Sequence, residues 1–342
     1  MAPVNIKDVA ERARVSVGTV SNVLNRPSAV RPATRARVEA AIVDLGFVPN
    51  ASARQLVAGQ NRTVAYVVLD ASNPFFTDVA RGIEEVTGVE DLSLFICNSD
   101  QSAAREDRYL ERLTELRVGG VLITALDYEN HHLSKLRRLG IPVVLVDRAP
   151  DSAAEWCSVG VDDIAGGEMA TNHLLEIGHR QLCFVGGPGT IPQVADRHTG
   201  AQKAVAVAGL GDDALLHLET SAPTIAEGRH AGERLLGLPK RDRPSGVFCA
   251  NDLLAFGLVQ YLLQHGVDVP QEIAIVGYDD IELAAAASVP LTSVAQPRRL
   301  LGRTGAELLL DEARGDDHEH RHVLFLPELV ARASTLTQTT SA

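Results

Sequence analysis

From residue 63 onward, the chain alternates short apolar runs with segments of helical period. Each apolar run ends in polar residues, a pattern typical of parallel strands that are buried on both faces. The runs are TVAYVVLD, LSLFICNSD, VGGVLITAL, IPVVLVDR, RQLCFVGG, SGVFCAND and IAIVGYDD, and helical segments such as DVARGIEEV and LLAFGLVQYLLQHG separate them. The pattern predicts an α/β fold with a doubly wound core of two similar halves.

The first 49 residues follow a different pattern, that of three short helices. Apolar residues recur at helical spacing on the first two, and only Arg14, Val15 and Ser16 lie between these helices. So short a link forces the helices to cross steeply, as in a helix-turn-helix, and Ser16 is a suitable N-cap for the second. A third helix is predicted from Pro32 to its end at Gly46. The predicted buried residues are Ile6, Val9, Ala10, Ala13, Val20, Val23, Leu24, Val38, Ala41, Ile42 and Leu45.

Charge separates this head from the rest of the chain. Residues 1–61 contain eight Lys and Arg against four Asp and Glu, a net charge of +4. The remainder contains 24 basic and 40 acidic residues, a net charge of −16. Because an acidic body is repelled by a polyanion, this asymmetry indicates that only the head binds nucleic acid. A chance surplus of basic residues on a solvated surface is the alternative.

The outer face of the second helix carries short-reach side chains. They are Val17, Gly18, Ser21, Asn22 and Asn25, with Thr19 near the start of the helix. In a major groove, Asn22 can pair with adenine and Val17 can contact a thymine methyl group. Gly18 has no side chain to read a base and weakens the helix by about 1 kcal/mol relative to alanine. A three-helix protein-interaction module is the alternative to a DNA-binding head.

The segment PNASARQLVAGQ, residues 49–60, predicts one more short helix. Asn50 can cap it, residues 51–57 can form two turns, and Gly59 can end it. A helix of this length is marginal alone in water, so we expect it to fold only when it is docked against something.

Polar and aromatic residues follow the predicted strands of the core. In doubly wound sheets, ligands bind beyond the carboxyl ends of the strands. Carboxylates, amides, arginines and phenylalanines together suit a polyhydroxylated ring, because they offer acceptors, bidentate donors and flat apolar faces. The alternatives are that Asp252 and Asp280 cap helices and that Phe75 and Phe76 belong to the core. The residues are Asn73, Phe75, Phe76, Asp147, Arg148, Arg197, Asn251, Asp252, Asp279, Asp280 and Gln296.

The run from Ile6 through Leu56 resembles the DNA-binding head of the lactose-repressor (LacI/GalR) family, and the resemblance continues almost to the C-terminus. It implies a helix-turn-helix domain over 1–49, a hinge helix and linker over 50–61, and a two-lobed, periplasmic-binding-protein-like core over 62–342. Lobe 1 is expected at about 62–161 and 294–325, and lobe 2 at about 162–293 and 326–342. The hinge helix is expected in the DNA minor groove, with Leu56 inserted as a wedge. The DNA-contacting set is then Ser16, Val17, Gly18, Thr19, Ser21, Asn22, Asn25, Arg31, Thr34, Arg35, Asn50, Ala53 and Leu56.

The core motifs SNPFF, VDR, ADRHTG, ND, GYDD and AQP are similar to those of ribose-type binding proteins and of the ribose repressor. The resemblance implies that an effector contacts Asn73, Phe75, Phe76, Asp147, Arg148, Arg197, Asn251, Asp279 and Gln296. One departure concerns residues 221–228, SAPTIAEG, where related domains commonly have an aromatic residue that stacks on the ligand. The identity of the ring therefore stays open at this point.

Other functional classes find less support in the sequence. The glycine-rich GGPGT lacks the GK[ST] of a phosphate loop and the GxGxxG of a dinucleotide site, so neither an enzyme nor a cofactor is expected. The four cysteines show no CxxC spacing, and DDHEHRH, residues 316–322, is expected to be a solvated loop rather than a metal site. The sequence contains neither a membrane-spanning apolar run nor a secretory signal, which favours the cytoplasm.

Together these patterns predict a DNA-binding regulator, most simply a repressor, whose affinity for a palindromic operator depends on a small ligand. A sugar is expected, with a pentose such as ribose favoured. A sugar-binding protein without a DNA function and a purine- or nucleoside-responsive regulator are the alternatives. A homodimer is expected because a palindrome requires two heads, with FFTDVARGIEEV and LLAFGLVQYLLQ as the interface helices and without a tetramerising tail.

Overall fold

The structure is a computed structural model that describes residues 4–48, 61–148, 155–315 and 318–336. The chain divides into two compact units, Met1–Arg62 and Thr63–Ala342. Within the described ranges, every helix is too short or too polar to cross a membrane. The predicted hinge helix, with Asn50, Ala53 and Leu56, lies outside the described residues.

The first unit is a three-helix domain, as its apolar spacing predicts. Its helices are α1 (Ile6–Ala13), α2 (Val17–Asn25) and α3 (Pro32–Leu45), with a short 3-10 turn at Pro27–Ala29. The Ser16 side chain caps α2 by accepting from the Thr19 amide. Gly46 ends α3 with a φ of 60°, a left-handed conformation that glycine adopts without strain. The buried core is formed by Val9, Ala10, Ala13, Val20, Val23, Val38 and Ala41, with Ile6, Leu24, Ile42 and Leu45 half-buried beside it.

The second unit contains two six-stranded sheets. All strands of the first sheet are parallel, in the order β11-β5-β4-β3-β1-β2. They are β1 (Thr63–Val68), β2 (Ser93–Asn98), β3 (Gly120–Ile123), β4 (Val143–Val146), β5 (Cys157–Val161) and β11 (His322–Phe325). The helices of this lobe are α4 (Pro74–Thr87), α5 (Ala103–Leu116), α6 (His131–Arg138) and α12 (Arg298–Arg314).

The second sheet has the order β12-β10-β9-β8-β6-β7, and only β12 runs antiparallel to its neighbour. Its strands are β6 (Leu182–Val185), β7 (Leu215–Leu218), β8 (Gly246–Cys249), β9 (Ala274–Asp279), β10 (Thr292–Ala295) and β12 (Glu328–Val330). Its helices are α7 (Asp163–Glu176), α8 (Pro192–Val207), α9 (Ile225–Gly237), α10 (Asp252–Gln264) and α11 (Glu282–Ala286), with 3-10 turns at Asp212–Ala214 and Lys240–Asp242.

The chain crosses between the lobes three times, after β5, after β10 and after β11. The second crossover follows Ala295, the last residue of β10, which pairs with β9. The three crossings connect the two lobes into the two-lobed doubly wound arrangement that the sequence predicts.

Two details of the sequence prediction are wrong. The run LSLFICNSD is not a buried strand, because β2 lies at the edge of its sheet and exposes about half of Phe95 and Ile96. The apolar residues of α4, expected at a dimer interface, are instead buried inside lobe 1. These residues are Phe75, Phe76, Val79 and Ile83. On α10, only Leu263 and the half-buried Phe256 and Tyr261 leave apolar or aromatic surface open.

Three pairs of helices pack unusually closely, and each pair does so through two reciprocal glycines. In the pair α4 and α12, a Cβ added to Gly82 would overlap the Arg299 carbonyl, and one added to Gly302 would overlap the Val79 carbonyl. The same arrangement recurs in α7 with α8, through Gly167 and Gly200, and in α9 with α10, through Gly228 and Gly257. Because the obstacle in every case is backbone, these positions exclude any side chain.

We expect Gly302→Ala to destabilise lobe 1, because the added methyl group must push α4 and α12 apart. Overpacking of this kind costs about 1–3 kcal/mol. The matched control is Gly237→Ala at the end of α9, where an added Cβ meets no atom within 4 Å and where alanine should be neutral or stabilising. Urea unfolding measures the free energy of unfolding of both variants. It is followed through the fluorescence of Trp156, the one tryptophan of the chain. Equal stability of the two variants would contradict the packing argument.

Candidate functional site

The face of α2 that is predicted to contact DNA bases is accessible to solvent. Ser16, Val17, Gly18 and Asn22 are exposed, with Val17 41% exposed although it is apolar. An exposed valine beside an asparagine is the combination that a major groove can accept. Thr19, Ser21 and Asn25 are half-buried, and the Asn25 amide donates to Ser21 Oγ at 3.2 Å, which holds that part of the face in place.

The start of α3 provides basic groups for a phosphate backbone. Arg31 is the N-cap residue of α3 and is exposed, and Thr34 is half-buried one turn later. Arg35 is exposed and pairs weakly with Glu39 at 3.6 Å, so its guanidinium is accessible from solvent. A helix N-terminus also attracts anions, which favours phosphate contacts at this end of α3.

The second site is a cavity of about 50 Å³ at the carboxyl ends of the strands of both sheets. Seven of the nine predicted effector residues line it, namely Asn73, Phe75, Phe76, Asp147, Arg197, Asn251 and Asp279. Gln296 lies behind Asp279, to which its amide donates at 2.8 Å. The Arg148 guanidinium lies 5.0 Å from the Tyr128 ring centre and 3.8 Å from Asp196.

Arg197 is the buried charge around which the cavity is organised. Its Nε donates to Asp163 at 2.7 Å, and Nη1 donates to the Ala250 carbonyl at 2.7 Å and lies 3.8 Å from Asp279. The guanidinium is centred 3.7 Å from the Tyr278 ring. Burial disfavours the cation, but the surrounding carboxylates, first among them Asp163, raise the pKa of Arg197 above its ordinary value.

Asp279 is held at the end of β9 by donors from both lobes. The Asn73 amide donates to one carboxylate oxygen at 3.2 Å and the Gln296 amide to the other at 2.8 Å. Burial raises the pKa of Asp279, against the opposing effect of Arg197. Its φ of 101° is a conformation that side-chain-bearing residues rarely adopt, and such strain is common at functional sites. Arg298 supports this turn by donating to the Asp279 and Asp280 carbonyls, with Asp78 at 3.0 Å from its Nε.

Asp147 lies at the end of β4 and has a similar environment. Its φ is 61°, and the Gln193 amide donates to its carbonyl at 2.6 Å. Burial raises the pKa of Asp147 well above its ordinary value, and the nearby Asp163 carboxylate raises it further. Among the described residues, Asp147 Oδ1, Gln193 Oε1 and Gln296 Oε1 are buried acceptors without a hydrogen-bond donor. Asp147 and Gln193 line the cavity, which therefore offers two unpaired acceptors to a ligand.

The sequence allowed Asp252 and Asp280 to cap helices, but in the structure Asn251 is the helix cap. Asn251 caps α10 by accepting from the Leu254 amide at 2.9 Å and donates to the Pro223 carbonyl at 3.0 Å. Asp252 is not the cap; it accepts from Ser293 at 2.7 Å and from the Ile281 amide at 2.9 Å, deep in the core. Asp280 does not cap a helix either, because it pairs with Arg332 at 2.5 Å.

Sequence reasoning missed one residue that lines the cavity, Gln193, and one buried residue that supports it, Asp163. Asp163, the partner of Arg197, follows β5, a short strand of small residues that is not among the predicted runs. Gln193 lies on the first turn of α8, ahead of Arg197. The rule that strand ends carry ligand groups would have found Asp163 had β5 been recognised. The remaining lining residues are Leu69, Asp70, Gln101, Ile191, Val194, Pro223 and Ala250.

Comparison with known proteins identifies both units. The model for bacterial regulatory proteins of the lacI family matches residues 5–50, and that for a periplasmic binding protein-like domain matches residues 171–335. The HTH-type transcriptional repressor PurR of Aliivibrio fischeri (strain MJ11) is 36% identical over 332 residues, 97% of this chain and 98% of the relative. The chain belongs to the LacI family of bacterial regulatory proteins. It is a DNA-binding repressor with a ligand-binding domain, not an enzyme.

Solved structures of LacI-family proteins have the same architecture. A regulator from Enterococcus faecium with bound ribose is 30% identical, covers 80% of this chain and 98% of that chain, and has a TM-score of 0.73. The lac repressor dimer bound to operator and the anti-inducer ONPF is 26% identical, covers 98% of this chain and 100% of that chain, and has a TM-score of 0.81.

We expect Arg197→Met to destabilise this LacI-family core, because Asp163 and Asp279 lose their buried counter-charge. Breaking a buried ion pair costs about 3–5 kcal/mol near neutral pH. Without the guanidinium, the pKa of Asp279 in the folded state rises further above the 3.8 of the free side chain. The folded state then holds more protons than the unfolded state between these two pKa values, so the loss should shrink as the pH falls from about 7.5 to about 5.

Urea unfolding at the two pH values, followed by Trp156 fluorescence, measures this change. Arg241→Met is the control, because the Arg241 side chain is 87% exposed and should matter by less than about 0.5 kcal/mol. A loss for Arg197→Met that stays constant or grows as the pH falls would refute the role given to the buried guanidinium.

Proposed function

We propose that this repressor binds a pentose, with ribose as the first candidate, between the lobes of its core, and that occupancy sets its affinity for a palindromic operator. The observation that carries the proposal is a pair of buried acceptors that line the cavity and that, among the described residues, have no hydrogen-bond donor: Asp147 Oδ1 and Gln193 Oε1. A buried acceptor left unpaired costs about 1–3 kcal/mol. A ligand with several hydroxyl groups supplies the donors that these atoms lack.

The charged groups of the cavity fit the same ligand. Asp147 and Asp279 can each accept from hydroxyls, and Arg197 can donate to ring or hydroxyl oxygens that lie between them. The Phe75 and Phe76 rings meet edge to face, with centroids 5.1 Å apart and planes at 84°. Two faces at this angle suit the C–H surface of a puckered sugar ring. The small cavity, about 50 Å³, also favours a compact ligand.

A purine base or nucleoside is the second candidate, because the chain is 36% identical to a PurR repressor, a purine-responsive regulator. Two features of the cavity favour this candidate less. Perpendicular phenylalanine rings cannot sandwich a flat base, and Pro223 lines the cavity in the segment that lacks a stacking aromatic residue. The ribose bound to the Enterococcus faecium regulator supports the first candidate by analogy.

Thermal unfolding of the full chain in the presence of pentoses, hexoses and purine bases tests the proposal, because a ligand that binds only the folded state raises stability. Calorimetry then measures the affinity of the best ligand. We expect Asp279→Ala and Arg197→Ala each to cost about 1–3 kcal/mol, roughly 5- to 150-fold in affinity. Asp252→Ala is the control, since Asp252 contacts Ser293 and Ile281 outside the cavity and should affect stability alone.

The result that would overturn the pentose assignment is stabilisation by a purine and not by any pentose. If Asp279→Ala and Arg197→Ala both bind the identified effector as well as the unchanged chain does, the effector binds at a different place.

For regulation, the effector and the operator must be coupled through the chain between the two units. Binding in the cavity draws on residues of both lobes, so it fixes their relative arrangement. A coupling of about 1–3 kcal/mol would change operator affinity roughly 5- to 150-fold. A palindrome requires two heads, and we propose a homodimer that uses the exposed apolar side chains of β2 and α10, Phe95, Ile96 and Leu263.

We expect Asn22→Ala to relax the preference of the head at one base position per half-site, because an asparagine on the exposed face of α2 can pair with adenine. Arg35→Ala should weaken binding to all sequences alike and flatten its salt dependence, since a phosphate contact carries no sequence information. Fluorescence anisotropy with a duplex library at several salt concentrations separates the two effects. Arg112→Ala removes an exposed charge from the core and should leave DNA binding unchanged. Equal binding of the unchanged chain to every duplex would contradict sequence-specific recognition.

A further inference from the structure

Four potential metal ligands meet at the amino-terminal end of β5, far along the strand from the effector cavity. Cys157, Glu312, His318 and His320 each direct one ligand atom to this point, and these atoms all lie within 4.8 Å of one another. We call this group the Cys–His cluster. It includes part of the histidine-rich segment 316–322, for which the function described above provides no role.

The fold brings these residues together from three parts of the chain. Cys157 is the first residue of β5, and Glu312 lies in the last turn of α12. β11 pairs with β5 so that His322 lies opposite Ser158, and the Ser158 amide donates to the Arg321 carbonyl at 3.0 Å. The segment that leads into β11 brings both His318 and His320 to the Cys157 sulfur.

The donor atoms lie at distances that a metal ion can bridge. Cys157 Sγ is 3.0 Å from His318 Nε2 and 3.8 Å from His320 Nδ1. Glu312 Oε2 is buried and has no hydrogen-bond partner among the described residues. The His318 side chain is only 9% exposed. The expectation that this segment is a solvated loop is therefore wrong for His318.

The surroundings of the cluster resemble those of metal-bound cysteine and histidine. The Arg321 amide donates to Cys157 Sγ at 3.4 Å, an interaction that stabilises a thiolate. His318 presents Nε2 to the cluster and Nδ1 to Asp311, whose carboxylate is 4.0 Å away. This is an ion-pair distance and not a hydrogen bond; a carboxylate placed behind a metal-binding histidine supports the ring once it hydrogen-bonds to it. A surface depression lined by Asp311, Gly315 and Glu319 leads to His318 and provides an entry path.

We propose that the Cys–His cluster is a zinc-binding site. A thiolate, two neutral imidazoles and a carboxylate are four ligands of the types that Zn²⁺ binds tetrahedrally, and their net charge of −2 balances the ion. A thiolate among the ligands disfavours Mg²⁺ and Ca²⁺, which prefer oxygen. The bound ion fastens the edge strand β11 and the segment before it to β5 and to the end of α12.

The first experiment measures the zinc content of the tag-free full chain by plasma mass spectrometry after dialysis against micromolar zinc and then against metal-free buffer. We expect one zinc ion per chain, and none in the double variant His318→Ala/His320→Ala. His322→Ala is the matched control, because His322 lies on the same segment but bonds to Ser158 Oγ at 2.9 Å instead of facing the cluster. It should retain one zinc ion per chain.

The second experiment replaces zinc with Co²⁺, whose spectrum reports both geometry and ligands. We expect intense visible absorption, which indicates a tetrahedral site, and a near-ultraviolet charge-transfer band from sulfur to cobalt. Cys157→Ser should abolish this band, and the control Cys97→Ser should retain it. Asp311→Asn, which keeps all four ligands, should lower zinc affinity about 10- to 100-fold. Circular dichroism establishes that each variant is folded.

Two results would overturn the proposal. One is a dialysed chain that contains no zinc, and the other is zinc retained equally by the unchanged chain and by His318→Ala/His320→Ala. Cobalt spectra without a Cys157-dependent sulfur band would also exclude the site.

Discussion

The buried guanidinium of Arg197 is the interaction on which the core depends. It pairs with Asp163 at the beginning of α7 and lies near Asp279 at the end of β9, so one cation connects two strand ends of a buried cavity. A buried charge is tolerated only when it is paired and hydrogen-bonded. The carboxylates that keep Arg197 charged are also oriented by it. The same ion-pair network therefore stabilises the fold and positions the groups that a ligand would contact.

The close packing of helices supports this network directly. Gly167 on α7 lies against the carbonyl of Arg197 itself, and Gly200 on α8 lies against the carbonyl of Ile164. The approach of these two helices brings Asp163 and Arg197 within 2.7 Å of each other. Packing and electrostatics are thus not independent here, because the absence of a side chain at Gly167 sets the length of a buried salt bridge.

Sequence reasoning found much of the fold because burial and helical period leave clear patterns. It predicted the head, with its cap at Ser16 and its end at Gly46, and the parallel strands with long apolar runs. It missed short strands such as β5, whose small residues resemble a loop, and β7, a four-residue edge strand with a histidine among its leucines. In the cavity it found Asp147 and Asp279, which directly follow or end recognised strands, but not Asp163, which pairs with Arg197 through tertiary structure alone. Contacts between distant segments, such as Cys157 with His318, leave no local signal.

The positive φ angles at Asp147 and Asp279 limit how this cavity can evolve. Left-handed backbone costs most L-residues about 1–2 kcal/mol, and aspartate, asparagine and glycine tolerate it best. At these two positions, asparagine is therefore the replacement with a polar side chain that adds least to the backbone strain. That change exchanges an acceptor pair for one acceptor and one donor of similar shape. A lineage that changes its effector through these positions should thus first exchange aspartate for asparagine. Residues that require a different backbone conformation at the turn should appear only later.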